Sequence, residues 1–300
     1  MKKNMSEKTI ITGLGEILWD LLPEGKQLGG APANFVYHIQ QLGYQSYMVS
    51  SIGEDRLGDE ILNSLDKRGL SSKYISRSQD FPTGQVEVEL DEDGNPEYNI
   101  IENVAWDYIP YSKKLDILAH QSSAVCFGSL AQRSSKSRAT VQKFMKNTDE
   151  NCIRIFDVNL RQNYYSLELI EENLALASIL KLNEDELQKI TDMFSIRGDE
   201  KEQMRKIISR FKLEMIALTK GGQGSFLVTS QKSSFLEPLD TKVKDTVGAG
   251  DSFTAGLVFS LLQGFSLEKC HQNANRLASF VCSQDGAMPS LPKKLLTQIS

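Results

Sequence analysis

A chain of 300 residues, 40% of them hydrophobic, can bury one large core or two smaller ones, and its 8% aromatic and 24% charged content is that of a soluble globular protein. A formal net charge of −5 with no Lys/Arg-dense segment argues against a nucleic-acid partner, and no run approaches the ~18 consecutive apolar residues of a membrane span. The cysteines, Cys126, Cys152, Cys270 and Cys282, lack C-x-x-C spacing and sit in apolar flanks, which predicts buried thiols in a reducing cytoplasm rather than a zinc or redox site.

Met1–Lys8 is polar and leads into no apolar h-region, so no signal peptide is expected. Thr9–Gly15 reads as a short buried strand with a glycine-rich end. Ala31–Leu42 has helical period, with Phe35, Val36, Ile39 and Leu42 on one face and Gly43 as its stop. Tyr47–Ile52 is strand-like. Arg56–Arg68 returns to helical period through Leu57, Ile61, Leu62 and Leu65, and Gly69 closes it. Between Gly84 and Ile101 the pattern alternates: Val86, Val88 and Leu90, then a turn at Asp91–Asn95 (DEDGN), then Tyr98 and Ile100. That is a hairpin with one wet face, suited to a small sheet standing off the main body. DEDGN lacks the remainder of a calcium loop and reads as a plain turn.

From Ser122 onward strands and helices alternate. The strand candidates are Ala124–Gly128, Ile153–Val158, Ile179–Leu182, Glu214–Thr219 and Ser225–Val228. The helix candidates are Ser135–Lys146, Glu184–Ile190, Glu200–Phe211, Ala249–Gln263 and Leu267–Ser283. Such alternation predicts an α/β fold: a mostly parallel central sheet with helices on both faces, whose ligands collect at the carboxyl ends of the strands.

The segment that carries most chemistry is Asp245–Thr254, DTVGAGDSFT. Gly248 and Gly250 permit a tight turn in which successive N–H groups can point to one spot. The helix that begins there adds positive partial charge, so the loop suits an anion such as a phosphoryl group in transfer. Asp251 falls in the first helical turn, where the helix field is expected to keep it ionised and able to act as a base.

DTVGAGDSFTAG resembles the C-terminal signature of the ribokinase-like (PfkB) carbohydrate kinases. Gly29–Asn34, GGAPAN, resembles their N-terminal signature, continued by LGYQSYMVSSIGEDRLG, and the likeness runs from about Gly13 to about Pro292. The resemblance implies one ribokinase-like kinase domain over residues 1–300, with a small β lid near 18–27 and 84–101, acting on ATP with magnesium. It implies Asp251 as the catalytic base and the N–H groups of Gly248, Ala249 and Gly250 as an anion hole. Asp20, in GEILWD, matches the acid that reads sugar hydroxyls, and Gly30 and Asn34 match sugar-binding positions. Asn183 and Glu186 match the N-x-x-E segment that organises magnesium and phosphates, with Glu186 acting through water. Thr219, Gly221 and Gly224, in TKGGQG, match the loop along the nucleotide, and Asn275 lies where the family contacts adenine.

Arg161, in DVNLRQNYY, resembles the arginine of a D-x-N-x-R segment found in ketohexose and ketoacid kinases, where it could hold a phosphate or sugar oxygen. GE-x-x-x-D with GGAPAN points to fructokinases and to fructose as substrate. Ribose, 2-keto-3-deoxygluconate, a nucleoside, and a sugar-binding regulator on the same fold are the alternatives. The resemblance further implies a potassium-type site near Asp245, Val247, Gly286 and Ser290, and a homodimer through the lid. Other nucleotide chemistries fit poorly. Gly13-x-Gly15 meets Leu18 where a dinucleotide fingerprint has its third glycine, and no G-x-x-x-x-G-K-[ST] occurs. His38, His120 and His271 form no metal pattern and are expected to be structural or solvated.

Overall fold

The computed structural model describes residues 9–22, 25–90 and 96–299. The expected turn at Asp91–Asn95, and Pro23 and Glu24 within the first lid segment, lie outside the described residues.

The main sheet has nine strands in the order β13-β12-β11-β10-β9-β8-β1-β4-β5. They are β1 (Ile10–Leu14), β4 (Gln45–Gly53), β5 (Ile75–Ser78), β8 (Ser122–Phe127), β9 (Ile153–Asp157), β10 (Ile179–Asn183), β11 (Met215–Thr219), β12 (Ser225–Val228) and β13 (Ser233–Leu236). All neighbours pair in parallel up to β11; β12 and β13 are antiparallel additions at one edge. Parallel strands buried on both faces read as continuous apolar runs, and β8 shows why: Ala124 and Cys126 enter one core, Val125 and Phe127 the other.

The first core is closed by α1 (Ala31–Gln41), α2 (Arg56–Lys67), α8 (Ala249–Leu262), α9 (Leu267–Cys282) and α10 (Lys293–Ile299). The second is closed by α3 (Lys113–Gln121), α4 (Ser135–Lys146), α5 (Leu167–Leu176), α6 (Glu184–Met193) and α7 (Glu200–Phe211). α8 is apolar nearly all round, because it lies sandwiched with α1 on one side and α9 on the other. No helix among the described residues is long and apolar enough to cross a membrane.

A second, four-stranded sheet stands off this body in the order β3-β2-β6-β7. It joins β2 (Leu18–Leu22), β3 (Gly25–Gly29), β6 (Gly84–Leu90) and β7 (Pro96–Ile100). Both segments read from the sequence as lid are therefore one sheet. Its inner face has a small core of its own, Leu18, Val86 and Ile100 against Val104, Trp106, Leu130 and Ala131.

Candidate active site

The carboxyl ends of β1, β9, β10 and β11 and the N-termini of α1 and α8 meet the inner face of the small sheet across a cleft of about 650 Å³. The sheet's register sets what it presents. Asp20 pairs with Gln27 on one side and Val86 on the other, and Val86 pairs with Ile100. All four line the cleft, a single row across the sheet in which one acid stands beside apolar side chains. Gly29 leaves room for that acid, since a Cβ there would come within 2.2 Å of Asp20 Oδ2.

Opposite the row stands the start of α8. Gly248 is its N-cap in the left-handed region (φ 75°), and a Cβ on it would lie 2.6 Å from the Ala287 Cβ. Gly250 faces Lys181, whose Nζ would be 2.8 Å from an added Cβ. Gly248, Gly250 and Asp251 line the cleft. The Ala249 N–H instead donates to the Thr246 carbonyl at 3.2 Å, so of the three expected anion-hole donors it is tied up within the loop.

Asn34, near the start of α1, donates through Nδ2 to Asp251 Oδ2 at 2.8 Å. Burial pushes the Asp251 carboxyl up to about 6, the Asp157 charge adds to this, and Asn34, Lys181 and Arg161 oppose it. Desolvation thus works against the helix field that is expected to keep Asp251 ionised, and neighbouring cations hold the value below neutrality. Asp20 is likewise pushed up to about 6 by burial, with Arg161 opposing.

Beneath Gly250 lies a buried ion pair, Lys181 Nζ to Asp157 Oδ1 at 3.2 Å. Thr254 donates to the other Asp157 oxygen at 3.1 Å. Burial alone would lower the Lys181 pKa, but the charges of Asp157, Glu186 and Asp251 reverse this and raise it, so the ammonium is retained.

Glu186 is not a solvated helix acid. It is 4% exposed, and its carboxylate takes the N–H of Asn183 at 2.8 Å and of Leu160 at 2.9 Å. Asn183 Oδ1 in turn accepts the Glu186 N–H at 2.9 Å, a reciprocal cap at the start of α6. Asn183, Glu186 and Thr219 line the same cleft, as do Asp20, Gly30, Asn34 and Arg161.

Of the remaining expected positions Val247 lines the cleft, while Gly221, Gly224, Asn275, Asp245, Gly286 and Ser290 lie outside its walls. Gly221 opens the 3-10 turn after β11 and Gly224 ends it, and Asn275 on α9 donates to the Glu237 carbonyl at 3.2 Å. Asp245 ties two loops together, accepting from Val247 N at 2.9 Å and Gly286 N at 3.1 Å, with Ser290 exposed nearby in the chain. Of the histidines, His38 and His271 are buried and hydrogen-bonded, to the Ala287 carbonyl and to Ser225 and Ser234, while His120 bonds the Asp116 carbonyl.

Sequence reasoning assigned no role to Lys181, Asp157, Glu16 or Gln27, all of which line the cleft. Lys181 carried a signal: a lysine inside the apolar strand ILKLN needs a buried partner.

Residues 24–294 match the family model described as pfkB family carbohydrate kinase. A fructokinase of Salmonella typhimurium is 28% identical over 297 residues, spanning 93% of this chain and 95% of the relative. An ATP-dependent 6-phosphofructokinase of Thermoanaerobacterium thermosaccharolyticum is 27% identical over 277 residues, spanning 89% and 82%. The crystal structure of an uncharacterized sugar kinase from Pyrococcus horikoshii in complex with ATP superposes with a TM-score of 0.81 at 26% identity, covering 97% of this chain and all of that one. With its fold, its cleft and a match over nearly its whole length in agreement, the chain belongs to the pfkB family and is a carbohydrate kinase.

Proposed function

We propose that the protein transfers the γ-phosphoryl group of ATP to a hydroxyl of a small neutral sugar, with fructose as first candidate. The observation that carries this reading is the placement of Asp251: a carboxylate at the N-terminus of α8, beside Gly248 and Gly250, facing the Asp20 row of the lid across one cleft. A sugar held by Asp20 from the lid would present a hydroxyl to Asp251, whose pKa of about 6 leaves it mostly ionised at pH 7 yet basic enough to take the proton. The hydroxyl oxygen bonds to phosphorus, the bond to the ADP oxygen breaks, and the proton passes to Asp251. The N–H groups of Gly248 and Gly250, the α8 terminus and the Lys181 ammonium supply positive charge where the equatorial oxygens gather it.

Magnesium arriving with the nucleotide would neutralise phosphate charge. Glu186 fits its outer, water-mediated sphere, because both carboxylate oxygens already accept one backbone N–H and keep further lone pairs toward the cleft. The Asp245 carboxylate, bridging the loops at Val247 and Gly286, would help hold a potassium ion. Fructose is favoured over the alternatives by the fructokinase relative and by GE-x-x-x-D with GGAPAN. The test is an ADP-release assay over fructose, ribose, 2-keto-3-deoxygluconate, fructose 6-phosphate and a nucleoside, with product NMR. Fructose should give the highest kcat/KM, and ATP turnover unresponsive to every sugar would sink the reading.

A further inference from the structure

Glu16 follows β1 and is 2% exposed, yet it lines the cleft. Its Oε2 has no hydrogen-bond partner, and the backbone N–H groups of Glu16 itself and of Ala31, the first residue of α1, favour its ionised form. Asn34, one helical turn further along α1, shows the same defect: Nδ2 is spent on Asp251, and Oδ1 is buried and unpartnered. Two buried acceptors without donors, on either side of the α1 N-terminus and beside Asp251, are costly unless something with hydrogens to donate completes them. The charge balance narrows what that is. Among the described cleft residues the cations are Lys181 and Arg161. Lys181 is paired with Asp157 and also opposes the Asp251 shift, so Arg161 is the one guanidinium or ammonium of the cleft that opposes the burial shift of Glu16, Asp20 and Asp251 alike.

We propose that Glu16 is a sugar-contacting residue: its free Oε2, together with Asn34 Oδ1, accepts hydrogen bonds from substrate hydroxyls beside Asp251. The site therefore takes a neutral polyhydroxy sugar and turns away one that carries a carboxylate or phosphate at that end. A hydroxyl donates to a carboxylate, whereas a substrate anion offers no hydrogen to it and is repelled by the ionised form. This inference rests on the sugar-kinase reading of the same cleft and names its substrate class.

Electrostatics gives the contact a signature. Burial pushes Glu16 up to about 7, with the Asp251 charge adding and the backbone bonds and Arg161 opposing. A hydroxyl donated to Oε2 favours the ionised form. Sugar binding at pH 7 should then release roughly half a proton, as linkage requires of a group near its midpoint.

Two measurements decide it. The first is Glu16→Gln, which keeps the shape and one acceptor oxygen but replaces the other with a donor. We expect the sugar KM to rise about 10- to 100-fold, the scale of one charged hydrogen bond, with the ATP KM within about twofold. In a panel of deoxy sugars, the one hydroxyl whose loss is costly in the wild type and neutral in the variant is the one Glu16 reads. An unchanged sugar KM with an unchanged deoxy profile overturns the contact, while wild-type phosphorylation that Asp251→Asn abolishes leaves the kinase reading standing. The second uses the unaltered protein: calorimetry of sugar binding at pH 7 in two buffers of different ionisation enthalpy. Proton release supports the proposal. Its absence, or a sugar acid or sugar phosphate turned over with a kcat/KM above that of every neutral sugar, overturns it.

Discussion

Asp251 is held between opposing pulls: burial and Asp157 raise its pKa to about 6, and Asn34, Lys181 and Arg161 keep it from rising further. The base is active when ionised, so kcat/KM should fall toward tenfold per unit as pH drops below about 6, and a flat profile down to pH 5 would remove Asp251 from the role. Asp20→Ala should raise the sugar KM by roughly 10-fold or more while leaving the ATP KM nearly unchanged, a loss of ~1.5–3 kcal/mol per charged hydrogen bond. Equal damage to both would place Asp20 elsewhere in the mechanism. Asp251 and Asp20 were legible because glycines and acids lie together in short segments, GAGD and GEILWD. Lys181 and Asp157 were not, because their pairing joins two strands 24 positions apart and only the parallel register of β9 and β10 makes them neighbours. Ala249 shows the same limit. Its place in the motif was plain, but the bond that turns its N–H toward Thr246 is a property of the folded loop.

At the scale of elements, strongly periodic segments were readable almost to the residue. Ser135–Lys146, Glu200–Phe211 and Ser225–Val228 are the observed bounds of α4, α7 and β12. Segments with weaker patterns were missed: β13, an edge strand with alternating exposed residues, α5, and α3 with its run of lysines and mixed apolar spacing. The small sheet was legible as two separate segments, and the parallel pairing of β2 with β6 that unites them is a long-range contact no local pattern carries. The apolar face of the hairpin is covered in part within the chain, since Val86 and Ile100 cluster with Leu130 and Trp106 at the cleft. Val86→Ala should therefore raise the sugar KM severalfold. Hydrogen exchange should slow in β6 when sugar is added, with less change in α8; exchange in β6 indifferent to sugar would make this sheet a rigid wall rather than a closing lid.

For the whole molecule, the cleft is a cost to stability. Glu16, Asp20 and Asp251 all bind a proton more tightly folded than unfolded, so their ionisation opposes folding. The penalty is absent below about pH 4 and complete above about pH 7, and one carboxylate raised by two units carries at most ~3 kcal/mol. Asp251→Asn should accordingly raise the thermal midpoint at pH 8 relative to wild type, with the gain vanishing near pH 4; equal midpoints at pH 8 would mean the strain is relieved by other means. Assembly follows a separate logic. The free edges of the small sheet are β3 and β7, and a lid-mediated homodimer would pair them, which sedimentation velocity checks directly, a monomer ruling it out. The central claim, that Asp251 activates a sugar hydroxyl for phosphorylation, is tested most directly by sugar-dependent ATP turnover in Asp251→Asn. The account predicts a folded protein that still binds ATP, with kcat lowered by roughly 10²–10⁴. Turnover within a few-fold of wild type would contradict it.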